Sequence, residues 1–235
     1  MFANSMSIIT SRGNRRICEV RKLRQRKYRQ RQGRFLVEGS QLIHIALDAG
    51  IQPVDLFFCK EQLKEPAIQA LLNRFRKAHA NLVAVPPYVM ETLSDHGNSQ
   101  SIIATFVSFE ATLQAIDTYE CRLLIIVDRP QSPANLGMIF RTADAVGAGA
   151  IIPIQPCVDP LHPKAVRISL GTVFNVPFIQ ISDISGLFNW LYQKGFKPIG
   201  TDPNAGKWSH DIWNGKVALI LGSDVRGMSS DLRCW

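Results

Sequence analysis

Two short runs, residues 123–127 (LLIIV) and 217–221 (VALIL), are apolar at every position. A strand with one wet face alternates apolar and polar side chains, whereas a strand covered on both faces has no reason to alternate. Runs of this kind separated by helical patterns imply a parallel sheet with helices on both sides. Between them lie AIIPI (150–154), a Pro-rich loop, a helix near 164–170, a further apolar run NVPFIQI (175–181), a helix over 184–194 and FKPIGT (196–201). The first half repeats the alternation on a smaller scale. FLVEG (35–39), VDLFFC (54–59), NLVAV (81–85) and IIATFVSF (102–109) read as strands. Helices are predicted over 40–50, with Ser40 as N-cap and Gly50 as stop, over 67–78, and over YVMETL (88–93). The organisation is therefore α/β, with a leading segment 1–34, a small domain 35–109, a more polar linker 110–120 and a second domain 121–235.

Composition narrows the class. A chain of 235 residues that is 46% hydrophobic can bury one large or two small cores. No apolar run approaches the roughly 18 residues of a membrane span, so no membrane partner is expected. The five cysteines (Cys18, Cys59, Cys121, Cys157, Cys234) are odd in number and form no C-x-x-C pair, which predicts free thiols, a reducing compartment and no metal. The N-terminus lacks the apolar stretch of a secretory signal, and a cytoplasmic location is expected, although its composition would also permit an organellar transit peptide.

Charge is concentrated. From Arg12 to Arg34 eleven Lys or Arg face the single Glu19, a local net of 11 − 1 = +10, while the whole chain carries 27 − 19 = +8. All the excess positive charge thus sits in one segment. Ile17, Val20 and Leu23 recur there at helical spacing, so the predicted element is an amphipathic helix docked by that stripe with its other faces basic. Such a face attracts a polyanion and releases counterions from phosphates, and Arg15, Arg16, Arg21, Lys22, Arg24, Arg26, Lys27 and Arg29 are the expected RNA contacts. A solvated basic tail is the plainer alternative.

In a parallel α/β sheet ligands bind outside the carboxyl ends of the strands, and three such ends carry informative residues. After LLIIV comes DRPQSPANLGMIFRTADAVGAG (128–149), in which Ser132 or Asn135 can cap a helix. Asn135 and Arg141, less than two turns apart, would reach the same cleft, with Arg141 gripping a phosphate beside the helix N-terminus. A cap plus an Arg141–Asp144 pair explains the same residues equally well. GTDPNAG (200–206) is a turn-rich loop, and LGSDVRGMSSDL (221–232) holds Gly222 and Gly227, which permit close backbone approach, and the acid Asp224. Neither a G-x-G-x-x-G fingerprint nor a phosphate loop is present, which argues against nicotinamide, flavin and nucleoside triphosphate chemistry. The histidines stand in unrelated contexts.

NLGMIFRTADAVGAG (135–149) resembles the first motif of the SpoU/TrmH class of RNA ribose 2′-O-methyltransferases, in the SPOUT superfamily. That motif is N-x-G-x-x-x-R-x-A-x-x-x-G, and Asn135, Gly137, Arg141, Ala143 and Gly147 match it. LILGSDVRGMSSDL (219–232) is similar to the second motif, G-x-E-x-x-G, through Gly222 and Gly227, and VRISLGTVFNVPF (166–178) resembles the K-x-S-x-G stretch through Ser169 and Gly171. The first half, with FLVEG, resembles the family's small L30e/L7Ae-like substrate-binding domain. The resemblance implies an α/β-knot methyltransferase domain, S-adenosylmethionine as methyl donor and a homodimer with a shared cleft. It implies catalytic roles for Asn135 and Arg141, and cofactor binding by Gly200, Thr201, Leu221, Gly222, Asp224 and Gly227. Ribosomal RNA is the substrate expected first and transfer RNA second. Asp224 stands where the family has Glu, and nothing after it matches the family's third motif, S-L-N-x-S-x-A. The expectation is therefore a chain ending before that motif, with an incomplete knot, either a truncated enzyme, an RNA-binding remnant, or a chain completed by another one.

Overall fold

The leading basic segment does not stand apart as a tail. In the computed structural model, which describes residues 6–95, 97, 102–116, 118–202, 204–205, 213–223 and 226–235, it begins with a short strand, β1 (Ser7–Ile8). Two helices follow where one was predicted, α1 (Arg15–Lys22) and α2 (Arg26–Gln32). The break falls at Gln25, whose extended backbone (ψ 132°) ends one helix and starts the next, and Gly33 in the left-handed region (φ 59°) stops the second. The apolar stripe docks as its spacing requires, with Ile17, Val20 and Leu23 all buried.

The chain then alternates through β2 (Arg34–Glu38), α3 (Ser40–Asp48), β3 (Pro53–Phe58), α4 (Pro66–Lys77), β4 (Asn81–Ala84), α5 (Pro87–Leu93) and β5 (Ile103–Val107). Gly39, at φ 99°, takes the N-cap position of α3, so Ser40 is its first helical residue rather than its cap. Only a residue without Cβ makes that turn cheaply. The sheet order is β1-β4-β3-β5-β2, parallel between β1, β4 and β3 and antiparallel where β5 pairs with β3 and β2. Phe35, Phe57, Phe58, Phe75 and Phe106 are fully buried around it, each contributing on the order of 1.5–3 kcal/mol. The buried carboxylate of Asp55 accepts from Thr105 Oγ1 at 2.8 Å and Asn81 Nδ2 at 3.0 Å and pairs with Arg16 and Arg34.

The second sheet is built from β6 (Leu123–Val127), β7 (Ala150–Pro153), β8 (Phe196–Gly200) and β9 (Lys216–Leu221), all parallel, in the order β7-β6-β9-β8. The two all-apolar runs are its inner strands. They are covered on both sides, by α6 (Pro133–Ala145) and α8 (Ile184–Gln193) among others, and Leu124, Ile126 and Ala218 are completely inaccessible. NVPFIQI makes only single parallel bridges, Phe178 to Ile151 and Ile181 to Ile154, because Pro153, which lies between them on β7, has no amide to donate to the Ile179 carbonyl. The remaining helices are α7 (Pro163–Ile168) and a short α9 (Ser230–Arg233).

The chain divides into two compact units, Met1–Phe109 with Leu161–Arg167, and Glu110–Pro160 with Ile168–Trp235. Residues 161–167, assigned from sequence to the second domain, thus group with the first. Arg167 pairs there with Asp95 at 3.3 Å, and Pro163 and Val166 lie against Leu36 and Leu42. Among the described residues no helix is long and apolar enough to cross a membrane, and no group of three His, Cys, Asp or Glu could hold a metal ion.

Candidate active site

The order β7-β6-β9-β8 creates a switch point between β6 and β9. The connection through α6 runs from β6 to one side of the sheet, while β9 continues on the other. Val127 and Leu221 are register partners at the carboxyl ends of these strands, and the Asp128 amide donates to the Leu221 carbonyl at 2.9 Å. Beyond that bond the two chain segments diverge and leave a cleft of about 720 Å³. Asp128 to Ser132, Asn135 and Ile139 form one wall, and Gly222, Ser223 and Arg226 to Ser229 form the other.

The first wall is the entrance of α6. Ser132 is the N-cap, its hydroxyl accepting the Asn135 amide at 3.3 Å, and Pro133 fills the first helical position, where a missing donor costs nothing. Leu136, Gly137, Phe140 and Ala143 are buried against the sheet, which turns Asn135 and Ile139 toward the cleft. The second wall is a closed glycine loop. Ser223 and Gly227 exchange two backbone hydrogen bonds of 2.9 Å each, and Gly227 has φ +64°. A Cβ on Gly222 would lie 2.5 Å from the Met228 amide nitrogen. The close approach anticipated for these glycines is thus realised first between the loop's own two limbs.

Gly200 and Thr201 buttress this loop from behind. The Thr201 hydroxyl donates to the Ile220 carbonyl at 3.0 Å and accepts the Gly222 amide at 3.4 Å, and a Cβ on Gly200 would meet the Met228 sulfur at 2.7 Å. Leu221 contributes its carbonyl to Asp128 and does not line the cleft. At the base of the cleft, Arg129 donates to Asp128 Oδ1 at 3.0 Å and to Ser229 Oγ at 2.6 Å and pairs closely with Asp231. The Arg129 guanidinium, with Ser229 adding a hydrogen bond, holds the Asp231 carboxyl down at about 2, and Asp231 in turn raises the guanidinium's own pKa.

A curated protein of Synechocystis, an uncharacterized tRNA/rRNA methyltransferase, is 30% identical over 232 residues, covering 97% of this chain and 82% of its own. The sequence profile of the SpoU rRNA Methylase family matches residues 122–234. The chain belongs to the SpoU rRNA methylase family. An MRM3-like substrate binding domain matches residues 14–104. The 23S rRNA (uridine(2479)-2′-O)-methyltransferase of Streptomyces viridochromogenes is 28% identical over 215 residues, 88% of this chain and 74% of that one. The fold also superimposes on the crystal structure of an AdoMet-bound rRNA methyltransferase from Sinorhizobium meliloti with a TM-score of 0.87. Identity there is 26%, with coverage of 97% of this chain and 85% of that one.

In this SpoU chain the α/β arrangement, with a small substrate-binding unit ahead of a parallel-sheet unit, is as the motifs implied. The individual site residues are less uniformly placed. Asn135, Gly222 and Gly227 line one cleft. Asp224 lies outside the described residues. Arg141 does not share the cleft with Asn135. Six positions on an α-helix are about 600° of rotation, which leaves the two roughly 120° apart around the axis, and Arg141 is exposed beside the exposed Met138. No Arg141–Asp144 pair forms among the described residues.

The basic residues separate in the same way. Arg29, expected at the RNA, is buried and donates to the Leu23 and Arg24 carbonyls at 2.8 and 3.0 Å. Arg16 binds Asp55, Arg24 donates to the carbonyls of Leu93 and Ser94, and Lys22 pairs with Glu19 at 2.8 Å. Arg26 is half-buried, whereas Arg15, Arg21 and Lys27 are exposed, and so is Arg31. The cluster of Asp128, Arg129, Ser229 and Asp231 went unread in the sequence, because its members are about a hundred residues apart.

Proposed function

We propose that this chain transfers a methyl group from S-adenosylmethionine to a ribose 2′-hydroxyl of ribosomal RNA. The observation that carries the reading is the cleft at the switch point, with the Asn135 wall facing the glycine loop in a chain of the SpoU family. The relatives named for 23S rRNA 2′-O-methylation and for bound AdoMet support both substrates.

The residues present fit the cofactor. A cleft of about 720 Å³ is in the range of small-molecule sites, and at Gly222 and Gly227 it presents backbone rather than side chain. When bound, S-adenosylmethionine supplies an electrophilic methyl on a sulfonium. The backbone of Gly222, Ser223, Gly227 and Met228 would hold it, with Gly200 and Thr201 fixing the loop from behind, and Leu221 and Asp224 completing the set taken from the motif. Asn135, next to the donors of the α6 N-terminus, orients the ribose for in-line attack. The 2′-hydroxyl must lose its proton as its oxygen bonds to carbon. A guanidinium that stays protonated is a poor base, so Arg141 grips the adjacent phosphate in bidentate fashion and thereby orients the hydroxyl, whose proton passes to solvent as the carbon–sulfur bond of the donor breaks.

Arg141 is exposed, and Met138, one turn before it on the same side of α6, is 59% exposed. An exposed methionine beside the motif arginine, on a side of α6 turned away from the Asn135 cleft, supports a homodimer in which Arg141 serves the partner's cleft. Arg15, Arg21, Lys27 and Arg31, not engaged like Arg16, Arg24 and Arg29, form the RNA-docking face.

The test is incubation with methyl-labelled S-adenosylmethionine and 23S rRNA, followed by alkaline hydrolysis, which cannot cut beside a 2′-O-methylated ribose. Label in an alkali-resistant dinucleotide is expected, and Asn135→Ala should abolish it. Label in transfer RNA alone would move the substrate, and label in neither RNA would reject the reading.

A further inference from the structure

Arg129 sits where the two walls of the cleft meet, in a conformation that needs explaining. Its φ is 45°, a left-handed backbone that a residue with a Cβ adopts only when its surroundings impose it. The surroundings here are three acceptors. The guanidinium joins Asp128, the first residue after β6, to Ser229 and Asp231, which close the glycine loop. Asp128 is only 4% exposed and accepts the Ser229 amide at 2.6 Å, so the same two chain segments are tied twice. A phosphate-binding role does not suit this guanidinium. Two carboxylates against one cation leave the cluster at a formal −1, and an incoming phosphate would add a second repulsion to each.

We infer that Arg129 is a positioning residue that clamps Gly227 to Ser229 at a fixed distance from the Asn135 wall, setting the width of the cleft for S-adenosylmethionine. The clamp stands on geometry alone, while its ligand rests on the function proposed above. Arg129 touches neither reacting atom. It acts through the loop that the cofactor would lie against. Because its side chain crosses between segments that sequence separates by about a hundred residues, its loss removes one of the two ties between the walls and leaves only the bond from the Ser229 amide to Asp128.

Arg129→Gly is the informative variant, since glycine accepts φ 45° without strain and removes the fork. Three measurements on the full chain decide the matter: melting temperature, amide hydrogen exchange across residues 226–233 without ligand, and calorimetric titration of S-adenosylmethionine. The clamp predicts a melting temperature within about 3 °C of the parent, faster exchange at Gly227 and Ser229, and at least tenfold weaker cofactor binding with unchanged RNA affinity. Asp231→Asn should shift binding in the same direction, and adding it to Arg129→Gly should cost nothing more, because the cation that Asp231 pairs with is already gone. Arg129→Lys, which keeps the charge but not the fork, should recover only part of the affinity. Unchanged exchange, or cofactor affinity within twofold of the parent, would overturn the inference. A parent chain that binds no S-adenosylmethionine would count against the proposed function instead, and exchange alone would then decide the clamp.

Discussion

Gly222→Ala tests whether the glycine loop is built for a ligand. The backbone at Gly222 does not have a positive φ, so alanine meets no conformational penalty there, and the only obstacle is space. Its new Cβ would stand 2.5 Å from the Met228 amide nitrogen and closer still to the Gly227 carbonyl carbon, and both are backbone atoms that no rotamer change can move. Ordinary contact begins near 3.4 Å, so the 227–228 limb must retreat by about 1 Å. The two 2.9 Å bonds between Ser223 and Gly227 cannot survive that shift. At about 0.5–1.5 kcal/mol each their loss costs about 1–3 kcal/mol. If the cofactor needs the closed loop, binding must repay that cost, and its Kd should rise about five- to 150-fold. Calorimetric titration of S-adenosylmethionine into parent and variant, each with its melting temperature, gives the answer. If the variant binds within twofold of the parent while melting at the same temperature, the loop is not the cofactor wall and the reasoning fails.

Replacing Arg15, Arg21 and Lys27 together by Ala should weaken RNA binding and flatten the slope of log K against log [salt] by about two units, at roughly 0.7 per lost single-strand phosphate contact; filter binding from about 50 to 300 mM salt checks it. Arg29→Ala should leave that slope unchanged and lower the melting temperature, because its guanidinium satisfies buried carbonyls rather than phosphates. The Asp231 carboxyl, held at about 2 against an unfolded value near 3.9, stabilises the fold above about pH 4 and loses that contribution as pH falls toward 2; melting curves of parent and Asp231→Asn should therefore converge in acid and separate above about pH 4. Arg141→Lys should cut turnover at least tenfold with cofactor Kd unchanged, since a point charge cannot replace a two-pronged grip on phosphate.

The strands were legible because burial on both faces leaves a mark on every residue, and LLIIV and VALIL could be little else. The N-terminus of α6 was legible for a similar reason: Ser132, Pro133 and Asn135 are local signals, each interpretable within about four residues of itself. Pairings across the fold were not. Arg16 and Arg24 look like Arg15 and Arg21 in a list of charges. What distinguishes Arg16 is the carboxylate of Asp55, 39 positions further along the chain, and what distinguishes Arg24 is the carbonyl of Leu93, 69 positions further along. Spacing within one helix misled in its own way. Asn135 and Arg141 belong to one motif, which suggests one site, yet helix geometry sends them to different faces, and a motif keeps both only if something brings those faces together. That is an argument for reading the shared motif as the imprint of two copies. In the homodimer proposed above, one chain would offer the Asn135 wall and the other the exposed Arg141, with the exposed Met138, one turn before it, as an apolar contact for the second copy.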